Sequence, residues 1–180
     1  MMILTPYTLM PALVLDLDGT IRLSKSGDFI NGPGDVALFG DVEAKLWEYR
    51  EKGFIICGVS NQGGVAFGYK LPFDAEAELD AMLALFSRPP FHIIKQAYHH
   101  PKGTVHPWNY RSLLRKPDIG MLVLCEIDAW EAHIVIDWDA SLMVGDRQED
   151  RECAERAGIT FQDANDFFGR MGSEHHRAAI

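Results

Sequence analysis

An apolar run that ends in two carboxylates is the strongest constraint on this chain. Residues 12–18 read ALVLDLD, and Gly19 and Thr20 follow. Ala12 to Leu15 have the character of a buried strand. Burying charge is costly unless something pairs with it. Asp16 and Asp18 therefore mark either a solvated turn or a pair of acids that holds a cation and does chemistry. Two residues apart on an extended segment, their side chains project to the same side.

Short apolar runs alternate with amphipathic ones along the rest of the chain. Strands are expected at 54–60 (FIICGVS), 91–99 (FHIIKQAYH), 141–146 (SLMVGD) and 159–164 (ITFQDA). Helices are expected at 41–53, where Val42, Leu46 and Tyr49 share a face, and at 74–86 with Asp74 as N-cap and Leu79, Met82, Leu83 and Phe86 along one stripe. Two more are expected within 116–128, starting near Pro117 or Asp118, and at 149–158, ended by Gly158. This alternation implies an α/β fold with a central parallel sheet and helices on both faces. Ligands of such sheets sit at the carboxyl ends of the strands, where Asp16 and Asp18, Ser60 and Asn61, and Asp146 all fall. The stretches 24–35 and 99–114 lack a clear period and are long enough to be functional flaps.

The chain has 180 residues, enough for one domain with a real core. We expect a short leader at 1–11, a domain at 12–168 and a polar tail at 169–180 that frays. The start lacks a basic region and carries Pro6 and Pro11, unlike a signal peptide. No apolar run approaches membrane-spanning length. A net charge of −9 disfavours a nucleic-acid or anionic-membrane partner. Cys57, Cys125 and Cys153 are not spaced as a metal knuckle or redox pair, so free thiols in a reducing cytoplasm are expected.

Four motifs stand in order: DLDGT at 16–20, SNQGG at 60–64, RKP at 115–117 and GDRQED at 145–150. Singly, each has an ordinary structural reading as a turn or a helix start. As an ordered set, over about residues 12 to 165, they resemble the haloacid dehalogenase superfamily of phosphohydrolases. SNQGGVAFG and RKP resemble the subgroup of histidinol-phosphate and heptose-bisphosphate phosphatases and polynucleotide kinase 3′-phosphatase domains.

The resemblance implies a Rossmann-like three-layer sandwich and a phosphatase working through a phosphoaspartate. Asp16 is then the nucleophile and Asp18 the general acid and base. Ser60 donates to the phosphoryl oxygens, and Lys116 stabilises the transferred group. Asn61, Arg115 and Arg147 are candidate phosphate or substrate contacts. An anionic nucleophile facing an anionic phosphate meets about 4 kcal/mol of repulsion at ~4 Å and an effective dielectric near 20. The resemblance assigns the remedy to Mg²⁺, held by the carboxylates of Asp16 and Asp146 and the backbone carbonyl of Asp18, with Asp150 supporting the site directly or through water.

The chain departs from that subgroup in the loop before RKP. His99 matches a zinc-loop histidine of the heptose-bisphosphate phosphatases, but Ala97, Ser112 and Leu114 stand where that loop has cysteines. Zinc is therefore not expected, the loop is left to be held by packing through Trp108 and Tyr110, and the heptose substrate is called into question. The short gaps between motifs leave no room for a full cap domain. The expectation is a cytoplasmic, monomeric, Mg²⁺-dependent phosphatase of a small metabolite, of sugar-phosphate or histidinol-phosphate type. A polynucleotide 3′-phosphatase and a non-catalytic phosphate- or partner-binding module are the alternatives.

Overall fold

The run carrying the two acids is the central strand of a five-stranded parallel sheet. The computed structural model describes residues 7–27 and 29–170. β1 (Thr8–Leu15) lies between β4 (Ile55–Asn61) and β6 (Ile134–Gly145), with β5 (Ile93–Ala97) and β7 (Thr160–Asp163) at the edges. The helices are α1 (Val42–Glu51), α2 (Pro72–Ala84), α3 (Gly120–Glu131), α4 (Gln148–Ala157) and α5 (Ala164–Phe168). A two-stranded antiparallel hairpin, β2 (Arg22–Ser24) and β3 (Val36–Leu38), frames the expected 24–35 flap.

The alternation along β1 builds both cores. Ala12 and Val14 pack with Cys57, Val59 and the buried side of α3 and α4, including Met121, Cys125 and Ala154. Leu13 and Leu15 face the opposite core, with Ile56, Val42 and Leu46 of α1, Met82 of α2 and Phe167 of α5. Each fully buried aliphatic side chain of this kind contributes about 1.5–3 kcal/mol.

Some boundaries differ from the sequence expectation. β1 begins at Thr8, so Thr8–Pro11, read as leader, pair with Ile134–Asp137. The expected strand at 141–146 is the second half of β6, whose first half carries polar Asp137 and Asp139 and gives no apolar run. The register of β1 against β6 shifts between Pro11 and Leu13. There the buried Ser141 hydroxyl accepts the Ala12 N–H at 2.8 Å and donates to the Asp137 carbonyl at 2.6 Å, satisfying backbone groups that the shift leaves without ladder partners. α2 starts at Pro72 with Leu71 at its N-cap. Asp74 is in the first turn, where its carboxylate accepts the Leu71 N–H at 2.7 Å. α4 ends at left-handed Gly158. α5 carries too few residues for a readable period. Of the expected fraying tail, residues 171–180 lie outside the described residues, as do 1–6 of the leader. Arg170 is tied to Asp41 at 3.0 Å.

The flap is organised by Asp35, whose carboxylate accepts from Ser24 Oγ, Ser26 N and Oγ, and Asn31 N. These donors, Ser24 foremost, hold its carboxyl down at about 2. The 99–114 loop is held by packing: the buried His99 ring meets Trp108 edge-on at 5.1 Å and Tyr110 at 4.8 Å.

Replacing Ser141 by Ala leaves the Ala12 N–H and the Asp137 carbonyl without their partner. We expect a loss of about 1–3 kcal/mol in urea denaturation with an unchanged slope. A loss below ~0.5 kcal/mol would show that the register shift does not depend on this hydroxyl.

Candidate active site

The ends of β4, β1 and β6 lie side by side, which brings together acids far apart in sequence. Asp16 follows β1, Ser60 and Asn61 close β4, and Asp146 follows β6. α4 begins immediately after and carries Asp150 in its first turn. Ligand oxygens of Asp16, Asp146 and Asp150 lie within 4.8 Å of one another.

Three such acids need a counter-charge, and Lys116 supplies it. Its Nζ is 2.5 Å from Asp16 Oδ1 and 2.7 Å from Asp150 Oδ1, and it donates to the Val59 carbonyl at 2.8 Å. The ammonium thus donates hydrogen bonds to Asp16 and the Val59 carbonyl and is ion-paired with Asp150. Burial works against the lysine's charge, but the two carboxylates overcome it and hold it protonated above the usual lysine range. Asp16 shows the reverse balance. Burial pushes its carboxyl well up, Lys116 pulls it down, and the neighbouring acids push it up again. Asp146 is pushed up to about 6, by burial first and then by the charge of Asp150.

Backbone geometry permits this crowding. Gly19 has φ +92°, and a Cβ there would lie 2.4 Å from Asp146 Oδ2. A Cβ on Gly145 would lie 2.4 Å from the Asp150 Cβ. Only glycine fits at either position.

Asn61 has a role the sequence did not disclose. Its Oδ1 accepts the Lys116 N–H and its Nδ2 donates to the Lys116 carbonyl, both at 3.0 Å. This amide is engaged in placing the lysine through one N–H and its oxygen. Asp150, placed in the expected metal set, has Oδ1 on Lys116 and Oδ2 on the Arg147 N–H at 3.1 Å. Arg115 is half-buried, with Nη1 3.5 Å from the His99 carbonyl. Arg147 is exposed, 4.0 Å from Asp146 and 3.9 Å from Glu149. Neither arginine has an ion pair with Asp16, Asp18 or Asp150.

Asp18 is surrounded by donors. The fully buried Arg22 places Nε 2.8 Å from Oδ1 and Nη2 3.3 Å from Oδ2. Ser60 Oγ donates to Oδ2 at 3.0 Å and Gln62 Nε2 at 2.6 Å. Burial would raise this carboxyl, but Arg22, with help from Ser60 and Lys70, brings it below the ordinary value. Arg22 and Gln62 were missed in the sequence. The signals were the i, i+4 spacing of Asp18 and Arg22 and the place of Gln62 inside SNQGG.

The site fits a hard divalent cation. The donor set is all oxygen. Asp16 Oδ2, Asp146 Oδ1 and Asp150 Oδ1 are buried with no hydrogen-bond partner in the protein, one on each of the three carboxylates that converge, although Asp150 Oδ1 is ion-paired with Lys116. Among the described residues, Asp16, Asp146 and Asp150 are the one group of three or more His, Cys, Asp or Glu side chains placed to hold a metal ion.

Comparison with known proteins agrees with this geometry. The family model described as polynucleotide kinase 3 phosphatase matches residues 12–170. A D-glycero-beta-D-manno-heptose-1,7-bisphosphate 7-phosphatase of Photorhabdus laumondii is 32% identical over 154 residues, 83% of this chain and 77% of that protein. Its counterpart in Escherichia coli K12 is 30% identical over 151 residues, covering 83% and 75%. A HAD-like phosphatase structure from Mesorhizobium loti superposes with a TM-score of 0.72 at 28% identity, over 86% of this chain and 71% of that one. The D,D-heptose 1,7-bisphosphate phosphatase of B. bronchiseptica, complexed with magnesium and phosphate, has the same fold, with a TM-score of 0.65 at 20% identity over 94% and 90%.

Replacing Lys116 by Ala strands two buried carboxylates, and in metal-free buffer at pH 7.5 we expect a loss of about 3–5 kcal/mol. Without the lysine the Asp16 carboxyl rises further above its unfolded value. A raised carboxyl destabilises above the unfolded pKa, and the penalty shrinks as protonation becomes possible. The loss measured by denaturation at pH 5 should therefore be smaller than at pH 7.5. An equal loss at both pH values would mean that Lys116 acts by packing alone.

Proposed function

We propose that this chain, a phosphatase that belongs to the polynucleotide kinase 3 phosphatase family of the haloacid dehalogenase superfamily, hydrolyses a phosphomonoester of a small metabolite with Mg²⁺ and through a phosphoaspartate on Asp16. One observation carries the mechanism: the Asp16 carboxylate has one oxygen on the Lys116 ammonium and the other buried without a partner, beside Asp146.

In this reading Asp16 and Asp146 hold the cation, with the Asp18 backbone carbonyl. Asp150 contributes through Lys116 and the start of α4. A cation held by these residues would supply the charge that offsets the repulsion between Asp16 and the phosphoryl group. Asp16 attacks phosphorus, an oxygen–phosphorus bond forms to its carboxylate, and the bond to the leaving oxygen breaks. Asp18, which its donors keep ionised before substrate binds, first takes up a proton from the phosphate monoanion of the incoming substrate and delivers it to the leaving oxygen. It then accepts a proton from the water that cleaves the aspartyl phosphate. Lys116 remains protonated throughout, balancing charge on the transferred group. Ser60, whose one hydroxyl proton lies on Asp18 before substrate binds, turns it to a phosphoryl oxygen when phosphate binds.

The substrate class follows from the surroundings. The curated relatives act on a heptose bisphosphate, which supports a phosphorylated sugar. Beside Lys116 a cleft of about 310 Å³ is bordered by His100, Arg111, Arg115, Asp118 and Arg156. Asp118 pairs with Arg111 and Arg156, which leaves Arg115 as the cation there for a further anionic group of a small substrate. Arg147 is a secondary candidate at the rim. The net charge of −9 opposes a polynucleotide. Three buried free thiols suit a reducing cytoplasm, and we assign the working unit as a monomer. No described helix is long and apolar enough to cross a membrane.

Asp16→Asn should lower hydrolysis of 4-nitrophenyl phosphate by more than about a thousandfold while the melting temperature stays near wild type. Chelation with EDTA should stop turnover and added Mg²⁺ restore it. Wild-type rates in either case would remove the mechanism. Across sugar bisphosphates, sugar monophosphates, histidinol phosphate and a 3′-phosphorylated oligonucleotide, kcat/KM should be highest on a sugar phosphate. A clear preference for the oligonucleotide would replace the substrate assignment with the polynucleotide reading.

A further inference from the structure

Gln62 makes a pair of contacts that phosphate binding alone does not require. Its side-chain amide donates to Asp18 Oδ2 at 2.6 Å and to Ser60 Oγ at 2.8 Å, while Ser60 Oγ donates to the same Asp18 oxygen at 3.0 Å. The three groups close a triangle. Gln62 is itself buried and held by its backbone, whose N–H donates to Ala97 of β5 at 2.8 Å and whose carbonyl accepts from Val65 at 3.2 Å. The Arg22 fork holds the other side of Asp18. The segment between them is closed on itself, with Gly19 N–H on the Arg22 carbonyl and Arg22 N–H on the Leu17 carbonyl, each at 2.9 Å.

We propose that Gln62 is a positioning residue for the leaving-group step: its amide holds the Asp18 carboxyl group in a single orientation and ties that orientation to Ser60. The inference rests on the reading of Asp18 as the group that serves the leaving oxygen. An aspartate side chain turns freely unless its oxygens are held, and a proton donor misplaced by an ångström loses much of its effect. Ser60 faces the phosphoryl oxygens in the proposed mechanism, so a contact shared by Ser60, Gln62 and Asp18 couples the occupied phosphate site to the placing of the acid. Arg22 steadies the same carboxylate from a position with no exposed surface.

The test separates positioning of the acid from binding of the phosphate. 4-Nitrophenyl phosphate and phenyl phosphate carry the same phosphoryl group but differ in how much their leaving oxygen needs a proton. kcat/KM covers the steps up to formation of the aspartyl phosphate and therefore senses that need. General acid catalysis is worth ~10²–10⁴-fold. Gln62→Met, which keeps the length of the side chain and removes its donors, should lower kcat/KM on phenyl phosphate about tenfold more than on 4-nitrophenyl phosphate. Gln62→Glu, which removes the amide donors and adds a like charge beside Asp18, should show the same bias. Equal losses on both substrates would mean that Gln62 binds phosphate or supports the fold, and no loss on either would mean that its amide is dispensable. Each of those results overturns the inference. Asp18→Asn distinguishes the inference from the reading beneath it. If that variant shows the bias and Gln62→Met does not, the positioning role falls and the acid stands. If Asp18→Asn shows no bias, the acid assignment falls, and the role of Gln62 with it.

Discussion

The ammonium of Lys116, buried between Asp16, Asp150 and the Val59 carbonyl, is the interaction on which the site depends. Bringing acids together at the end of a sheet is unfavourable by several kcal/mol in a low-dielectric setting. The lysine offsets it because it donates to Asp16 and Val59 while its charge also faces Asp150 at 2.7 Å. It is also reached from outside the sheet. Asn61, at the end of β4, brackets the Lys116 peptide on both sides, and the 99–114 loop delivers the lysine through packing of His99, Trp108 and Tyr110. Aromatic packing and one amide therefore hold the segment that carries the lysine.

Two separate charge problems are solved within one pocket. Asp16 and Asp150 share Lys116 with Asp146 beside them, and each of the three acids keeps one buried oxygen without a hydrogen bond, which is the state a cation would relieve. Asp18, only two residues from Asp16, belongs to a different circuit of Arg22, Ser60 and Gln62. The glycines at 19 and 145 allow the circuits to touch without merging, because any side chain there would strike Asp146 or Asp150. An overall charge of −9 coexists with this site because its cations are few, buried and individually placed.

The flap and the loop show how an enzyme without a cap domain can still frame its site. Asp35 gathers the 24–35 turn around a single carboxylate, and the buried Glu78 of α2 accepts the Gly32 N–H while pairing with Lys70. The flap is thereby tied to α2 rather than left as an independent arm. These contacts belong to tertiary structure: Asp35 reaches Ser24 across eleven residues, and Glu78 reaches Gly32 across forty-six.

Local order was legible because it is written in short periods. The alternation in ALVL, the face of Val42 and Leu46, and the left-handed stop at Gly158 each follow from neighbouring residues. β6 was only half legible, since Asp137 and Asp139 break its apolar character and its pairing with Thr8–Pro11 depends on a partner strand far away. The same division runs through the site. By itself the sequence determined that acids stand at strand ends and in which order, because strand ends follow from hydrophobic patterning. Which charge neutralises which was decided only by the fold. Lys116 meets Asp16 across one hundred residues, and Asn61 brackets that lysine across fifty-five, because strand order and loop path, not spacing in the chain, set the distances over which charges act.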